Sequence, residues 1–362
     1  MAQKPVPDAD LIKTAEAFTE LGMTKAAAKL KISTSALQNR LRCYEERFNV
    51  KVPKQEQYRV KLLPEPSFTV AELPDDDISV DELLKHRKRQ FEQKAKHETA
   101  RKLIGVEVHL EGAIGILHHG DPHVDDDGTD IHALERNRAL CIKTEGLFAA
   151  NVGDLTNNWI GRLARLYGDQ GTTAKQAWAL AEWFISEQPW IYMIAGNHDT
   201  WSGEGDPLKW IARQARALYQ ASEVRLELRF PNSRTVRINA RHDFAGHSQY
   251  NPVHGQTKAT LFGVRDHLAV AGHRHTSGYG VLKDPQHGII SHLLQVASYK
   301  IYDRYSRDRG FRDMHLSPCA LTTINPALPD DHPDLIKVWW DPEAGVDYLR
   351  YLRGRRTSRR AG

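Results

Sequence analysis

Cysteine is scarce in this chain: Cys43, Cys141 and Cys319 stand far apart, and none forms a C-x-x-C pair. That spacing argues against a disulfide scaffold and a thiolate zinc site, and it fits a reducing compartment. Also missing is any apolar run approaching the roughly 18 residues that a membrane helix needs. The opening MAQKPVPDAD has neither the basic nor the apolar region of an export signal, so the expectation is a cytoplasmic protein with no membrane partner. No internal repeat is visible, and neither sign of charge dominates: 50 Lys and Arg stand against 46 Asp and Glu, a formal +4. So mild an excess permits an anionic partner without demanding one. What is present, 362 residues with 40% hydrophobic content, is enough for one sizeable α/β domain and a smaller module.

Three short helices are expected between Asp10 and Phe48, punctuated by Gly22 and by the Ile32-Ser33 junction, with Thr24 and Ser33 as N-caps. Residues 51 to about 80 carry Pro53, Pro64, Pro66 and Pro74 and then Asp75, Asp76 and Asp77, the composition of a linker. The charged stretch DELLKHRKRQFEQKAKHETARKL follows and is expected to be a solvated helix. From Leu103 strand and helix patterns alternate, which points to a layered α/β domain built on a central sheet or pair of sheets. The domain reading is therefore 1–50, a helix-turn-helix-like module; 51–102, linker and charged helix; 103–350, the α/β domain; and 351–362, a basic tail expected to be disordered.

The chemistry collects where the strands stop. After AIGILHH come Gly120, Asp121, Pro122 and His123; after LFAANV, Gly153 and Asp154; after WIYMIA, Gly196, Asn197, His198 and Asp199. RTVRINA leads to Arg241 and His242, and HLAVA to Gly272, His273, Arg274 and His275. Any one of these is an ordinary polar turn. Together, at successive strand ends, they offer carboxylates, imidazoles and an amide oxygen, a donor set suited to a divalent ion of intermediate hardness. Glycine beside the ligand allows the close backbone approach such a loop requires.

The ordered series D-x-H, GD, GNHD, a separate H and GHxH resembles the calcineurin-like metallophosphoesterase superfamily over roughly residues 104–300. It is also similar to members carried by bacteriophages, a likeness that adds no substrate. The resemblance implies a layered β-sandwich flanked by helices and two divalent metal ions, manganese favoured over iron, zinc or nickel. It implies that Asp121, His123 and His275 hold one ion, that Asp154 bridges both, and that Asn197, His242 and His273 complete the second. His198 would then face the substrate as general acid or hydrogen-bond donor, oriented by Asp199. Metal-dependent phosphoester hydrolysis is the implied reaction.

Here the second block reads GDLTNN, without the basic residue of GDxxD-R-G phosphatases; Arg162 and Arg165 are the substitutes nearest in sequence. Protein phosphatase activity is correspondingly less favoured. His118 and His119 are expected to pack or to support the ligands, Asp125, Asp126 and Asp127 to form a solvated acidic turn, and His247, Asn251 and His254 to be hydrogen-bonded loop residues. In the N-terminal module, GMTKAAAKLKISTSALQNRLRCYEERF looks like a bacterial helix-turn-helix, with Ser35, Gln38, Asn39 and Arg42 outward as candidates for DNA contact and Lys25, Lys29 and Arg40 for the backbone. A DNA phosphodiesterase, a nuclease, is thus the leading expectation, with DNA as partner and a homo-oligomer left open. The alternatives are a phosphomonoesterase acting on nucleotides or phosphoproteins, and a DNA-binding regulator with an inactive phosphoesterase domain. The complete ligand set argues against the last.

Overall fold

The computed structural model describes residues 6–52, 77–200, 207–302 and 314–360. Most of the expected linker, including its four prolines, Asp75 and Asp76, lies outside the described residues. The chain divides into two compact units, Met1–Ser79 and Val80–Gly362.

In the first unit α1 (Asp8–Leu30) is interrupted at Gly22, whose φ of 72° and ψ of 175° are not helical, so with α2 (Thr34–Phe48) the module has the three expected helical segments. Ser33 caps α2 by accepting from the Ala36 backbone N–H at 3.1 Å. Leu11, Ala26, Ala27 and Leu37 form its small core. Ser35, Gln38, Asn39 and Arg42 are all exposed on α2, on the outward side the helical spacing gave them.

The second unit begins with α3 (Val80–Arg101), the expected charged helix, which belongs to the α/β unit and not to the linker. Two six-stranded sheets follow. The first has the order β1-β6-β7-β8-β10-β9, from β1 (Ile104–Glu107), β6 (Glu223–Arg229), β7 (Thr235–Arg241), β8 (Leu268–Ala271), β10 (Ile289–Gln295) and β9 (Gly278–Asp284). The second runs β12-β11-β2-β3-β4-β5, from β12 (Ile336–Trp339), β11 (Cys319–Ile324), β2 (Ile114–His119), β3 (Leu147–Asn151), β4 (Trp190–Ala195) and β5 (Tyr219–Ala221). The sheets share one core in which Ile116, Ala150 and Ile194 meet Leu226, Ile238 and Val270.

Helices α4 (Ile131–Lys143), α5 (Ala174–Ile185), α7 (Pro207–Gln214) and α9 (Pro342–Arg360) contribute to a second apolar cluster, shared with Leu117, Ala149 and Met193 on the outer face of the second sheet. Helix α8 (His254–Phe262) packs on β8 and β10 of the first sheet. Strands β2 and β4, covered on both faces, are buried at every position, whereas β6 and β7 alternate. The architecture is the layered α/β sandwich flanked by helices, with a small all-α module before it. The basic tail expected to be disordered instead continues α9 to Arg360. Buried Val346 and Leu349 anchor that helix, and the residues after them are arginine-rich and free of proline, so nothing stops it.

The strand directions decide where the loops go. β2, β3 and β4 are mutually parallel, and β7 and β8 are parallel. Each of these five strands ends at one of the five motif loops.

Candidate metal centre

The five loops converge. Asp121, His123 and His275 bring ligand atoms within 4.8 Å of one another, as do His123, Asp154 and His198, and Asp154, His242 and His273. Asp154 is shared by the second and third of these groups. Asp121 Oδ2 lies 3.3 Å from His275 Nε2, and Asp154 Oδ2 lies 3.3 Å from His242 Nε2. His242 Nε2 is also 2.9 Å from Asn197 Oδ1 and 3.0 Å from His273 Nδ1. Because His242 Nδ1 donates to the Val152 carbonyl at 2.8 Å, Nε2 carries the lone pair of the neutral ring. Four acceptor atoms aimed at one another repel unless a cation joins them. A proton is the smallest such cation, and a divalent ion neutralises the group better.

The electrostatics follow from this crowding. Burial opposes charge on His242, but the Asp154 carboxylate, helped by Asp121 and the Val152 carbonyl, raises it to about 10. Burial likewise pushes the Asp154 carboxyl up, and the surrounding imidazoles, His242 foremost, more than reverse it, holding the group below the usual carboxylate range. Burial, then the nearby His275, keeps His123 neutral, and burial, then His242, lowers His273. Within the other group, His123 is 2% exposed and neither of its ring nitrogens has a hydrogen-bond partner; Asp121 Oδ1, fully buried, has none either. Unpaired buried donors and acceptors are costly and rare. A divalent cation would take a lone pair from Asp121 and from one ring nitrogen of His123, so this donor set fits the metal chemistry expected of it.

The backbone is shaped to make that convergence. His123, Asp154, His273 and His275 all have positive φ, at 39°, 51°, 70° and 50°. Non-glycine residues hold such angles when the surrounding structure dictates them, and they concentrate at functional sites. Gly196 is required for close approach: a Cβ there would sit 2.1 Å from Asp154 Oδ1. Gly272 would bring one 2.4 Å from Asp121 Oδ1.

His198 lies beside His123 and Asp154 in the second of these groups. Its backbone N–H donates to Asp154 Oδ1 at 2.9 Å, and its Nε2 is 3.9 Å from Asp154 Oδ2. The expected orientation by Asp199 does not occur. The Asp199 carboxylate is buried and accepts from the backbone N–H groups of Leu155 at 3.0 Å and Gly196 at 2.8 Å, tying two ligand loops together. Burial, then the charge of Asp154, raises it to about 7. His198 is held instead by the Asn157 carbonyl, 2.6 Å from its Nδ1, and by the edge of Trp159, ring centroids 5.2 Å apart. This leaves Nε2 facing the centre. Both residues lie on the single turn α6 (Asn197–Thr200), where neighbours one position apart do not face each other.

The acidic turn is solvated only at its end, where Asp127 is exposed. Asp125 is 1% exposed and accepts from the Asn157 N–H at 2.8 Å and the Gln170 side chain at 3.0 Å, while Asp126 takes the Asn157 amide and Lys300, both within 2.9 Å. Asp127 accepts from the Gly171 N–H. The three carboxylates clamp the loop that positions His198. Arg274, the variable residue of GHxH, is a second unforeseen support: its guanidinium donates to Asp243 Oδ1, the Phe244 carbonyl and the Gly246 carbonyl at 2.7–3.0 Å, locking the loop after His242 to the loop of His273.

Of the substitutes for a phosphate-binding arginine, Arg165 is exposed in a 3-10 segment, and the Arg162 side chain lies outside those described. His118 and His119 are satisfied core residues, bonded to Tyr192 and Thr322 and to Tyr299 and Gln188. Asn251 is a loop residue, accepting from the Val253 N–H, and His247 is exposed.

Two facing sheets with the D-x-H, GD, GNHD, H and GHxH loops gathered at one end give the layered arrangement that the motif resemblance implies. Among solved structures, the chain is similar to nuclease MPE of Pseudomonas putida, at 16% identity and TM-score 0.30 over 67% of this chain and 88% of that one. It is also similar to the calcineurin-like phosphoesterase YfkN of Bacillus subtilis, at 12% and 0.33 over 67% and 99%. A predicted phosphoesterase of Streptococcus pneumoniae gives 12% and 0.30 over 64% and 100%. No protein-family model and no curated protein matches the sequence. None of the described helices is long and apolar enough to cross a membrane.

Proposed function

We propose that this protein is a dinuclear metal-dependent phosphodiesterase that cleaves DNA. The observation that carries the metal-dependent reading is the pair of acceptor clusters joined at Asp154, one of them holding a buried His123 with two unpartnered ring nitrogens. Divalent ions at such a centre, manganese favoured, supply Lewis acidity toward a phosphate ester. The chain's own contribution is orientation. Asp154 fixes the backbone of His198, the Asn157 carbonyl fixes its Nδ1, and Nε2 is thereby presented to the reacting ester, where it donates a proton or hydrogen bond to the leaving oxygen. Support for DNA comes from the N-terminal module, whose Ser35, Gln38, Asn39 and Arg42 are exposed along one capped helix.

The test incubates wild type and His198→Ala, with Mn²⁺ or chelator, on end-labelled single- and double-stranded DNA and on a small model diester. Metal-dependent DNA cleavage lost in the variant supports the proposal. Hydrolysis of the model ester without DNA cleavage moves the substrate to nucleotides or phosphoproteins.

A further inference from the structure

Helix α3 is unusual for an element of a folded unit: its 22 residues include no buried side chain. Lys85, Arg87, Lys88, Arg89, Lys94 and Lys96 outnumber the acids Asp81, Glu82, Glu92 and Glu98 even before Arg101 is added. Among the described residues, Lys85, Lys88, Arg89, Lys94 and Lys96 have no ionic partner. The cations are spread around the helix: Lys85, Arg89 and Lys96 share one side, with Arg87 and Lys94 opposite.

The far end of α3 is fixed beside the metal centre. Arg101 Nη2 lies 3.3 Å from Glu223 Oε1, Glu223 in turn binds the guanidinium of Arg241, its register partner on β7, and Arg241 is followed directly by the ligand His242. The basic helix therefore rises from the rim of the reacting site.

We propose that α3 is a track for the phosphate backbone of a nucleic acid whose scissile bond occupies the metal centre. This rests on the phosphodiesterase reading above and assigns that site a second contact surface. At 1.5 Å per residue the helix is about 33 Å long, close to one turn of duplex. Charge complementarity selects the occupant. In a pair of α3 helices from two copies the cations would face each other, which disfavours self-association. A helix lying on a membrane concentrates its apolar residues on one wide face, whereas here the exposed apolar residues Val80, Leu83, Leu84 and Phe91 share their arc with Arg87 and Lys94.

The test uses the full chain with Lys85, Arg87, Lys88 and Arg89 changed together to glutamine; all four are exposed and glutamine keeps helix propensity. Binding of a fluorescent duplex, in chelator, is measured over a salt series beside turnover of a small diester in Mn²⁺. The expected result is affinity about tenfold or more weaker at low salt, a log–log salt slope shallower by about 2 to 4, and unchanged small-ester turnover, since each neutralised phosphate contributes close to one to the slope. DNA affinity and slope equal to wild type, in protein that still cleaves DNA, overturn the track and leave the phosphodiesterase reading standing. Wild type that hydrolyses the small ester but neither binds nor cuts DNA overturns the DNA reading itself. Charge-dependent binding to phosphatidylserine vesicles without binding to duplex, or a dimer lost in the variant, assigns α3 elsewhere.

Discussion

Asp199→Asn separates the two roles available to the last residue of GNHD. The substitution preserves shape, but an amide accepts through one oxygen only. One of the two backbone N–H groups, Leu155 or Gly196, then faces an NH₂ group. A buried donor left unsatisfied costs about 1–3 kcal/mol. At about 2–4 °C per kcal/mol for a unit of this size, melting should fall by about 2–12 °C. Part of the loss is offset because the carboxylate is itself strained by burial and by Asp154, as its rise to about 7 records. Since Asp199 ties the Asp154 loop to the Gly196 loop, Mn²⁺ affinity should weaken about 10–100-fold, the usual effect of removing a residue that orients metal ligands. The shape of the pH–rate profile should not change, because His198 Nδ1 rests on the Asn157 carbonyl. Scanning calorimetry, Mn²⁺ titration and the pH profile on a model diester measure all three. A variant with wild-type melting and Mn²⁺ affinity but an altered pH profile would refute the reasoning and restore the His198–Asp199 pairing.

Gly196→Ala should yield folded protein with impaired Mn²⁺ binding, because the new Cβ falls 2.1 Å from Asp154 Oδ1; wild-type metal content by elemental analysis contradicts this. Arg274→Met should cost about 1.5–3 kcal/mol for the charged hydrogen bonds it removes and should lower Mn²⁺ affinity, whereas equal denaturation midpoints would deny it the clamp. The metal-free protein should lose stability on acidification. Burial holds His118 and His119 near 3 against an ordinary 6.5, so between those values the unfolded chain binds more protons and stability rises with pH. Each contributes about 1.4 kcal/mol per pH unit in that window. Guanidinium unfolding between pH 5 and 6.5 should show a slope that His118→Gln or His119→Gln reduces, and an identical slope in the variants rejects the assignment.

The ligand loops were legible in the sequence because each is a local event: a strand ends and a donor follows within three residues, behind a glycine in every loop but that of His242. Parallel pairing of β2, β3 and β4 then brings those ends together without further instruction. What escaped is what depends on distant partners. Asp125 and Asp126 look like part of a solvated turn until Asn157 and Gln170 arrive from a loop more than thirty residues on. Asp199 looks like a partner for His198 because the two are adjacent, yet the acceptor that fixes the ring is a backbone carbonyl, which no side-chain pattern encodes. Strands β9 to β12 follow the last motif and went unread. In β9 the alternation is weak and the exposed positions include Tyr279 and Val281, so the strand carries little polar signal. The continuation of α9 into the arginine-rich tail shows the converse, charge being mistaken for disorder where helix propensity is high.

The central claim is a two-ion centre joined by Asp154, and the most direct measurement is Mn²⁺ stoichiometry by calorimetric titration of wild type and Asp154→Ala, with model-diester turnover followed in the same samples. Two ions per chain in wild type, weakened binding of both in the variant and turnover abolished is the predicted result. Wild type that hydrolyses the ester in chelator, or Asp154→Ala that binds two ions and turns over normally, would contradict it.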